Sequence, residues 1–344
     1  MDEPLLAPIA AHLAVWEVPH VELAIHETGD ARSIARALHE FCRRELKCAP
    51  ARTLFYQSSI SAVAGMQLSD GRKIVIKTRQ PDWSFERLQE VIRLQGLVAT
   101  ELRLAPQVIA GPASLGNGFA TVEEYLNRGS IRNGHEPLVR GALARSLHAI
   151  IEHLTAAAPV TALPPSLLTS TRTDALWPRP HSKLFDFDAT RCGAEYIDEL
   201  AAAARACMTP IGRRVVGHSD WRAEHVRFEG DRPVVAFDWD SLCEEREPAL
   251  VGITAHMFCA DWSRADVAQA PTLEEAKAFI ADYEAAAGRA FTPEERTLCS
   301  AAFAYSVAYT ARCGHASGFD TRGQPGTFQH LLATVGTRLL DLWG

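Results

Sequence analysis

The sequence has 344 residues, of which 47% are hydrophobic and 22% charged, as is typical of a globular protein with a large core. Its 35 basic and 42 acidic side chains give a net charge of −7, which argues against a nucleic-acid-binding surface, because such surfaces are normally basic. The eight cysteines are scattered without a C-x-x-C pair, so we predict buried thiols in a reducing compartment rather than a zinc ribbon.

Neither a targeting signal nor a membrane span is predicted from the sequence. It begins with acidic residues, lacks the basic segment of a secretory signal, and no uncharged apolar run reaches the about 18 residues of a membrane span. We therefore expect a cytoplasmic protein without a membrane partner. Within the first 50 residues, Ile34, Leu38 and Phe41 recur at helical spacing, which predicts a helix over residues 31–46.

Residues 51–126 read as a small unit of mixed strands and helix. The dipeptide Asp70–Gly71 separates two β-prone runs and predicts a hairpin over residues 64–78. An amphipathic helix over residues 84–102 follows, with Ser84 as its N-cap. Residues 119–126 predict a further strand.

Residues 127–344 are predicted to be mainly helical. Helices are expected from Pro137, over residues 194–208 and again from Pro248, with a proline-rich irregular segment at residues 164–193. One hairpin turns at Gly230–Asp231. The predicted domains are a helical extension (1–50), a smaller lobe of strands and helix (51–126) and a larger, mainly helical lobe (127–344).

Two polar motifs in this last region carry the chemistry. The segment GHSDWRAEHVRF has the spacing His218-x-Asp220-x-x-x-x-His225. Protein kinases have H-x-D-x-x-x-x-N at this spacing, where the aspartate contacts the substrate hydroxyl and the asparagine binds a metal. Downstream, the hairpin delivers Asp238 at a strand end within AFDWD, where kinases present a metal-binding aspartate.

A third motif lies upstream, in the predicted hairpin. The run KIVIK ends in Lys77, like the lysine of the kinase motif V-A-I-K, which pairs with nucleotide phosphates. The helix that follows offers Glu90 as the ion-pair partner of Lys77, with Glu86 as a competing choice one turn earlier.

With these motifs in this order, the chain resembles the aminoglycoside phosphotransferase (APH-like, choline-kinase-like) family of the protein-kinase-like fold. That family has the catalytic loop H-G-D-x-x-x-x-N and a DWD or DWE metal strand, and the segment TVEEYLNRGS is similar to its hinge. The resemblance runs from about Phe55 to Ala249. It implies an α+β, two-lobed fold with a nucleotide between the lobes. The small β-rich N-terminal lobe (51–126) would bind the nucleotide, and the larger mainly helical C-terminal lobe (127–344) would be catalytic and bind the acceptor.

The resemblance also implies roles for individual residues. Asp220 would accept the proton of the acceptor hydroxyl, Lys77 would neutralise phosphate oxygens of ATP or GTP, and His218 would hold the catalytic loop. Magnesium is the implied metal. The candidate metal ligands are Asp238, His225 and Asp240. The candidate nucleotide contacts are Lys77, Glu90, Ser58, Ser59, Ser61, Glu124, Tyr125 and Leu126.

Two departures from the family pattern leave alternatives open. His225 stands where the family has a metal-binding asparagine, and imidazole is a poor ligand for Mg²⁺. Glu224 or Asp240 would compensate, or the protein would be a pseudokinase. The loop at residues 55–65 lacks G-x-G-x-x-G, so a plain polar hairpin turn is the alternative to a phosphate-binding loop.

The predicted function is transfer of the γ-phosphoryl group of a nucleoside triphosphate to a hydroxylated small molecule, an aminoglycoside or other antibiotic. The alternatives are a nucleotide-binding pseudokinase module without turnover and a kinase of sugars or amino alcohols. The segment Trp177–Asp188 is a candidate for acceptor specificity. The acidic run Cys243–Glu247 would contact a cationic acceptor or form a solvated loop.

Overall fold

The computed structural model describes residues 3–158, 161–166 and 175–344. The chain divides into two compact units, here called unit 1 and unit 2. Unit 1 comprises Met1–Glu101 and Ala105–Asn127, and unit 2 comprises Leu102–Leu104 and Arg128–Gly344. Residues 167–174, part of the segment predicted to be irregular, lie outside the described residues. No helix in the described ranges combines the length and the apolar character that a membrane span requires.

Unit 1 contains a five-stranded antiparallel sheet with the strand order β1-β2-β3-β5-β4. Its elements are α1 (Glu3–Leu13), α2 (His20–His26), α3 (Ala31–Leu46), β1 (Pro50–Ser58), β2 (Ala62–Leu68), β3 (Lys73–Arg79), α4 (Phe85–Leu97), β4 (Val108–Leu115) and β5 (Gly118–Glu124).

Local sequence signals explain the centre of this sheet and the helix beside it. Gly71 adopts φ +90° in the turn between β2 and β3, a conformation that costs glycine little, and Asp70 accepts the N–H of Arg72 there. Ser84 caps α4 by accepting the N–H of Arg87 at 3.2 Å. The predicted hairpin, helix and N-cap are therefore present.

The sequence analysis missed β1 and β4, the two edge strands of this sheet. An edge strand has one side without ladder hydrogen bonds, so it accepts proline and polar residues that would weaken a central strand. Pro112 lies inside β4, which explains why its sequence reads as a loop. The first helices pack on the same sheet: Ile9 of α1 and Phe41 of α3 are buried with Ile76 of β3 in one core.

Unit 2 is mainly helical and has two short two-stranded antiparallel sheets, β6–β9 and β7–β8. Its elements are α5 (Pro137–Ala157), α6 (Glu195–Cys207), β6 (Arg214–His218), β7 (Val226–Glu229), β8 (Arg232–Ala236), β9 (Leu242–Arg246), α7 (Glu247–Ala255), α8 (Leu273–Ala287), α9 (Pro293–Ala316) and α10 (Phe328–Val335).

Helix α9 is the central element of unit 2, with α6, α7 and α10 packed around it. It begins with a capping box in which Thr292 and Glu295 bind each other's backbone N–H groups. Gly252 allows α7 to approach closely, because a Cβ atom at this position would collide with the backbone carbonyl of Cys299. All eight cysteines lie in the described ranges as free thiols, five of them buried.

The two small sheets bring the polar motifs of unit 2 together. The H-x-D loop leaves the end of β6 at His218 and enters β7 at Val226, while the DWD turn connects β8 to β9. His218 pairs with Leu242, and Val226 pairs with Ala236, so the start of each connection is held beside the end of the other. The predicted turn at Gly230 is present, with φ +61°.

Candidate active site

His218 is the buried support of the catalytic loop. Its side chain is shielded from solvent and packs between the rings of Trp221 and Trp239, at centroid distances of 5.6 and 5.5 Å. Nε2 lies 3.3 Å from the carbonyl oxygen of Phe237, and Nδ1 accepts the backbone N–H of Asp220 at 3.2 Å. Burial lowers the pKa of His218 to about 4, so the ring is neutral near pH 7.

Asp220 lies next in the loop and interacts with Arg222. Its Oδ1 accepts a hydrogen bond from Nη1 of Arg222, whose Nε donates to Glu224 at 3.1 Å. Burial raises the pKa of Asp220, Arg222 opposes this rise, and the nearby charge of Asp238 adds to it. A carboxylate with a raised proton affinity is suited to accepting a proton from a hydroxyl group.

Sequence reasoning did not assign Arg222 to the site. The signal that would have found it is its position two residues after Asp220. Its backbone is extended, with φ −144° and ψ 161°. Only Trp221 separates the two residues, so the guanidinium of Arg222 reaches back to the carboxylate of Asp220. Burial opposes its charge, but Asp220, Glu224 and Asp238 hold the pKa of Arg222 above its ordinary value.

His225 and Asp238 complete a cluster with Asp220. Nδ1 of His225 lies 3.0 Å from the carbonyl oxygen of Asp220, and Nε2 lies 3.9 Å from Oδ2 of Asp238. One ligand atom from each of the three residues falls within 4.8 Å of the other two. Burial, with the charge of Arg222, lowers the pKa of His225 to about 4, so its ring is neutral. Two carboxylates and a neutral imidazole fit a divalent metal ion.

Asp238 has an uncommon backbone conformation. Its φ of 64° and ψ of 42° lie in the left-handed region, which is costly for residues other than glycine and recurs at functional sites. The turn that follows is anchored by Trp239, which is buried and whose Nε1 donates to the carbonyl oxygen of Ala236 at 2.9 Å. Asp240 lies in the same turn, and its role as a metal ligand stays a prediction.

In unit 1, Lys77 lies at the centre of the sheet. It pairs with Val63 of β2 and Thr121 of β5, and its side chain is 9% exposed. Nζ lies 3.4 Å from Oε1 of Glu123, whose side chain is 3% exposed. Glu123 is an ion-pair partner that the sequence analysis missed, because only the register of β3 on β5 brings the two residues together. Its sequence signal is weak, since a single glutamate in a strand has no distinctive spacing.

The two glutamates proposed as partners of Lys77 differ in their surroundings. Glu90 keeps 13% of its side chain exposed and accepts two hydrogen bonds from Arg93, both 2.8 Å long. Glu86, one turn earlier in α4, is exposed. Glu90 is the more buried of the two and is therefore the better candidate for the ion-pair partner of Lys77. The pairing stays a prediction.

The three serines proposed as nucleotide contacts lie at the turn between β1 and β2. The backbone N–H and the hydroxyl of Ser58 both lie within hydrogen-bond distance of Nε2 of His12, at 3.1 and 2.9 Å. The N–H of Ser59 donates to the carbonyl oxygen of Ser61 at 3.3 Å, which closes the turn. Helix α1 therefore anchors this loop, while its contact with phosphate stays a prediction.

The proposed adenine-binding segment begins at the end of β5. The N–H of Glu124 donates to the carbonyl oxygen of Gln107 at 3.0 Å, and that of Tyr125 donates to Lys73 at 3.3 Å. Both donors are thus engaged within unit 1. Leu126 follows at the end of the segment, and a role for the three residues in nucleotide binding stays a prediction.

The acidic run Cys243–Glu247 has a structural role. It forms β9 and the start of α7 rather than a solvated loop. Glu247 is fully buried and interacts with Arg213, Arg289 and the hydroxyl of Tyr283. Burial opposes its ionisation, but these three partners lower the pKa of Glu247 to about 2. Its charge is thus neutralised inside unit 2 and is not presented to an acceptor.

The profile of the phosphotransferase enzyme family, APH, matches residues 66–288, which is well over half of the chain. The chain belongs to this phosphotransferase family. The matched residues include Lys77, Asp220, His225 and Asp238, and they span both units. No curated protein matches the sequence.

Solved structures agree with this family at the level of the fold. An amicoumacin kinase, hAmiN, in complex with AMP-PNP, Ca²⁺ and Ami has a TM-score of 0.55 at 9% identity, covering 84% of this chain and 87% of the other. A thermostable mutant of the aminoglycoside phosphotransferase APH(4)-Ia in apo form has a TM-score of 0.54 at 14% identity, covering 87% and 99%. A ternary complex of such a mutant with AMP-PNP and hygromycin B has a TM-score of 0.52 at 13% identity, covering 87% and 98%.

These findings confirm two predictions for this phosphotransferase. Its fold is α+β and protein-kinase-like, with an antiparallel sheet in the N-terminal region and helices in the C-terminal region. Its reaction class is that of a small-molecule phosphotransferase.

Proposed function

We propose that this phosphotransferase moves the γ-phosphoryl group of ATP, or of GTP, to a hydroxyl group of an aminoglycoside or another hydroxylated antibiotic. The observation that supports this most is the cluster of Asp220, His225 and Asp238 on the two connections of unit 2. Phosphoryl transfer depends on positioning and on charge neutralisation, and this cluster offers a proton acceptor beside a candidate metal site.

In the proposed mechanism, Oδ2 of Asp220 accepts the proton of the acceptor hydroxyl while Arg222 holds Oδ1 and fixes the orientation of the carboxylate. His218 keeps the loop in place through the N–H of Asp220. A divalent metal held by Asp238, with Mg²⁺ as the ion implied by the resemblance, would neutralise phosphate oxygens when bound. Lys77 of unit 1 would bind phosphate oxygens as a point charge, with Glu123 limiting its motion.

The segment Trp177–Asp188 supports the proposal that unit 2 selects the acceptor. Burial lowers the pKa of His181 and the charge of Asp220 opposes this shift, so the ring lies near the proposed proton acceptor. The hydroxyl of Tyr309 in α9 lies 2.8 Å from Nδ1 of His181, and Trp177 packs edge-on against Phe187. Aromatic and polar groups of this kind would recognise the ring faces and hydroxyls of a large acceptor.

Antibiotics are favoured as acceptors by the ligands in the similar solved structures. One contains hygromycin B and another contains amicoumacin kinase with Ami. The second candidate function, a nucleotide-binding pseudokinase, is favoured by His225 at the position of the metal-binding asparagine. The two functions differ in whether phosphate leaves the nucleotide for an acceptor.

The test is a screen of the full chain with ATP or GTP, Mg²⁺ or Mn²⁺, and a panel of hydroxylated antibiotics, sugars and amino alcohols. Mass spectrometry is expected to detect the gain of one phosphate on an antibiotic, and Asp220→Asn to abolish it. Phosphate gain confined to sugars or amino alcohols would contradict an antibiotic acceptor but would still support small-molecule phosphoryl transfer. Nucleotide binding without phosphate gain on any acceptor would support the pseudokinase.

A further inference from the structure

Glu224 lies in the catalytic loop, between Asp220 and the start of β7. It belongs to a short 3₁₀ turn, Ala223–His225, and its side chain is 21% exposed. Its Oε2 accepts the Nε–H of Arg222 at 3.1 Å and the backbone N–H of Trp262 at 3.3 Å. One carboxylate oxygen therefore joins the guanidinium beside Asp220 to the segment that follows α7.

That segment comprises residues 256–272, which connect α7 to α8 and are here called the α7–α8 connection. Its backbone also holds the catalytic loop. The N–H groups of Ala223 and Glu224 donate to the carbonyl oxygens of Phe258 and Ala260, at 2.8 and 3.3 Å. With the hydrogen bond to the Glu224 side chain, the loop is attached to the connection at three points.

Gln269 fixes the conformation of the α7–α8 connection. Oε1 of its side-chain amide accepts the N–H of Asp261 at 3.1 Å. Nε2 lies 2.9–3.0 Å from the carbonyl oxygens of Asp261, Arg264 and Val267. The backbone donor that meets Glu224 is thus oriented by contacts within the connection itself, which makes it a preorganised support.

The orientation of Arg222 depends on its carboxylate partners. The charges of Asp220, Glu224 and Asp238 hold the pKa of Arg222 above its ordinary value against the effect of burial. A guanidinium carries its N–H groups in a rigid planar fork, so a bond to Nε sets the direction of the others. With Nε on Glu224, Nη1 reaches Oδ1 of Asp220. Without the bond to Nε, the long side chain would regain rotamer freedom and no longer fix the Asp220 carboxylate.

We propose that Glu224 is a positioning residue for phosphoryl transfer, which holds Arg222 against Asp220 and ties both to the α7–α8 connection. The sequence left Glu224 open as a substitute metal ligand. The two hydrogen bonds to Oε2 favour the positioning role, because that oxygen already has two donors. The proposal rests on the role proposed for Asp220 as proton acceptor, and Glu224 acts only through Arg222.

The first test follows the Nε–H group of Arg222 by NMR in the full chain with isotopically labelled arginine, without nucleotide or acceptor. Arg222→Lys assigns the resonance. We expect slow exchange of this proton with water in the wild type and exchange about tenfold faster or more in Glu224→Ala. Glu224→Gln keeps an oxygen acceptor and should retain slow exchange, as should the exposed control Glu229→Ala in β7. Equal exchange in the wild type and Glu224→Ala would overturn the proposal.

The second test measures kcat and KM for transfer from ATP to an acceptor identified in the screen. Glu224→Ala should lower kcat by about 10–10²-fold, with the KM for ATP and the Mg²⁺ concentration for half-maximal transfer unchanged. Glu224→Gln should recover most of kcat, and Glu229→Ala should retain the wild-type value. In Arg222→Ala, the further change Glu224→Ala should have no effect on kcat, because Glu224 acts through that side chain. A full additional loss of kcat there, or a several-fold higher Mg²⁺ requirement in Glu224→Ala, would overturn the proposal.

The two tests separate this proposal from the proposed function. Faster Nε–H exchange in Glu224→Ala, in a protein that transfers no phosphate, would support the support role of Glu224 and contradict the proposed function. Phosphoryl transfer with wild-type kcat in Glu224→Ala would overturn the proposal alone. If Glu224→Ala did not fold, rapid exchange of the Arg222 Nε–H in the wild type would still overturn it.

Discussion

The two units hold their candidate functional charges in different ways. In unit 1, Lys77 and Glu123 lie on adjacent strands, and neither side chain is more than 9% exposed. In unit 2, Asp220, His225 and Asp238 lie on connections between short strands, with exposures from 13% to 41%. The first pair is positioned by sheet register, the second group by hydrogen bonds to loop backbone.

Because of this difference, removing a charged side chain should have different consequences in the two units. A buried ion pair inside a sheet contributes to folding as well as to function, because removing one partner takes a counter-charge away from the other buried group. Charged side chains on solvent-accessible loops, as in unit 2, contribute less to the packing of the core than a buried ion pair does. We therefore expect loss of stability to accompany loss of activity in unit 1, and loss of activity alone in unit 2.

The largest expected effect is that of Asp220→Asn on phosphoryl transfer. The amide keeps the shape of the carboxylate but cannot accept a proton, so kcat should fall by roughly 10²–10⁴. The thermal unfolding midpoint should change little. Asp231→Asn, in the exposed turn between β7 and β8, is the control and should retain wild-type kcat. A value of kcat for Asp220→Asn within a few-fold of wild type would exclude Asp220 as the proton acceptor.

Lys77→Met should reduce stability as well as transfer. It leaves Glu123 buried without this cation, and breaking a buried pair from one side costs about 3–5 kcal/mol. The double variant Lys77→Met with Glu123→Leu removes both charges, so urea unfolding should show recovery of most of the stability while transfer stays lost. Lys73→Met, on the exposed start of β3, is the matched control. Recovery of transfer in the double variant would mean that Lys77 acts only in folding.

The stability of unit 2 at acidic pH should depend on Glu247. Because its pKa is lowered to about 2 in the folded protein, its contribution is present above the ordinary pKa of 4.5 and is lost as pH falls toward 2. The resulting decrease in the free energy of unfolding should reach about 3 kcal/mol. Urea unfolding between pH 6 and pH 2.5 should therefore show a shallower acid dependence for Glu247→Gln than for the wild type. Glu274→Gln, an exposed change in α8, should keep the wild-type slope; a slope shared by all three proteins would contradict this assignment.

The smallest expected effect is that of His12→Ala in unit 1. Nε2 of His12 accepts hydrogen bonds from the N–H of Ser58 and from Nε1 of Trp16, and the variant loses both. The free energy of unfolding should fall by about 1–2 kcal/mol. If the β1–β2 turn contacts phosphate, nucleotide affinity should fall several-fold in calorimetric titration. The exposed change His20→Ala should alter neither the free energy of unfolding nor the nucleotide affinity. Unchanged nucleotide affinity in His12→Ala would mean that the β1–β2 turn does not contact the nucleotide.

The features that could be predicted from the sequence are those that depend on residues close together in the chain. The turns at Gly71 and Gly230, the cap at Ser84 and the order of the motifs around Lys77, Asp220 and Asp238 are all local patterns, and they were sufficient for the fold class and the family. Such signals work because turn and cap energetics are decided within a few residues.

Contacts between side chains far apart in the sequence could not be predicted and are seen only in the tertiary structure. The pairing of Lys77 with Glu123 required the register of β3 on β5, and the burial of Glu247 required the convergence of α7, α8 and the residues before β6. The orientation of the His225 ring required a contact between Nδ1 and the carbonyl oxygen of Asp220 that the motif spacing does not specify. In each case the deciding energy is that of a buried charge or polar group and its partner, and that energy depends on packing between residues far apart in the chain.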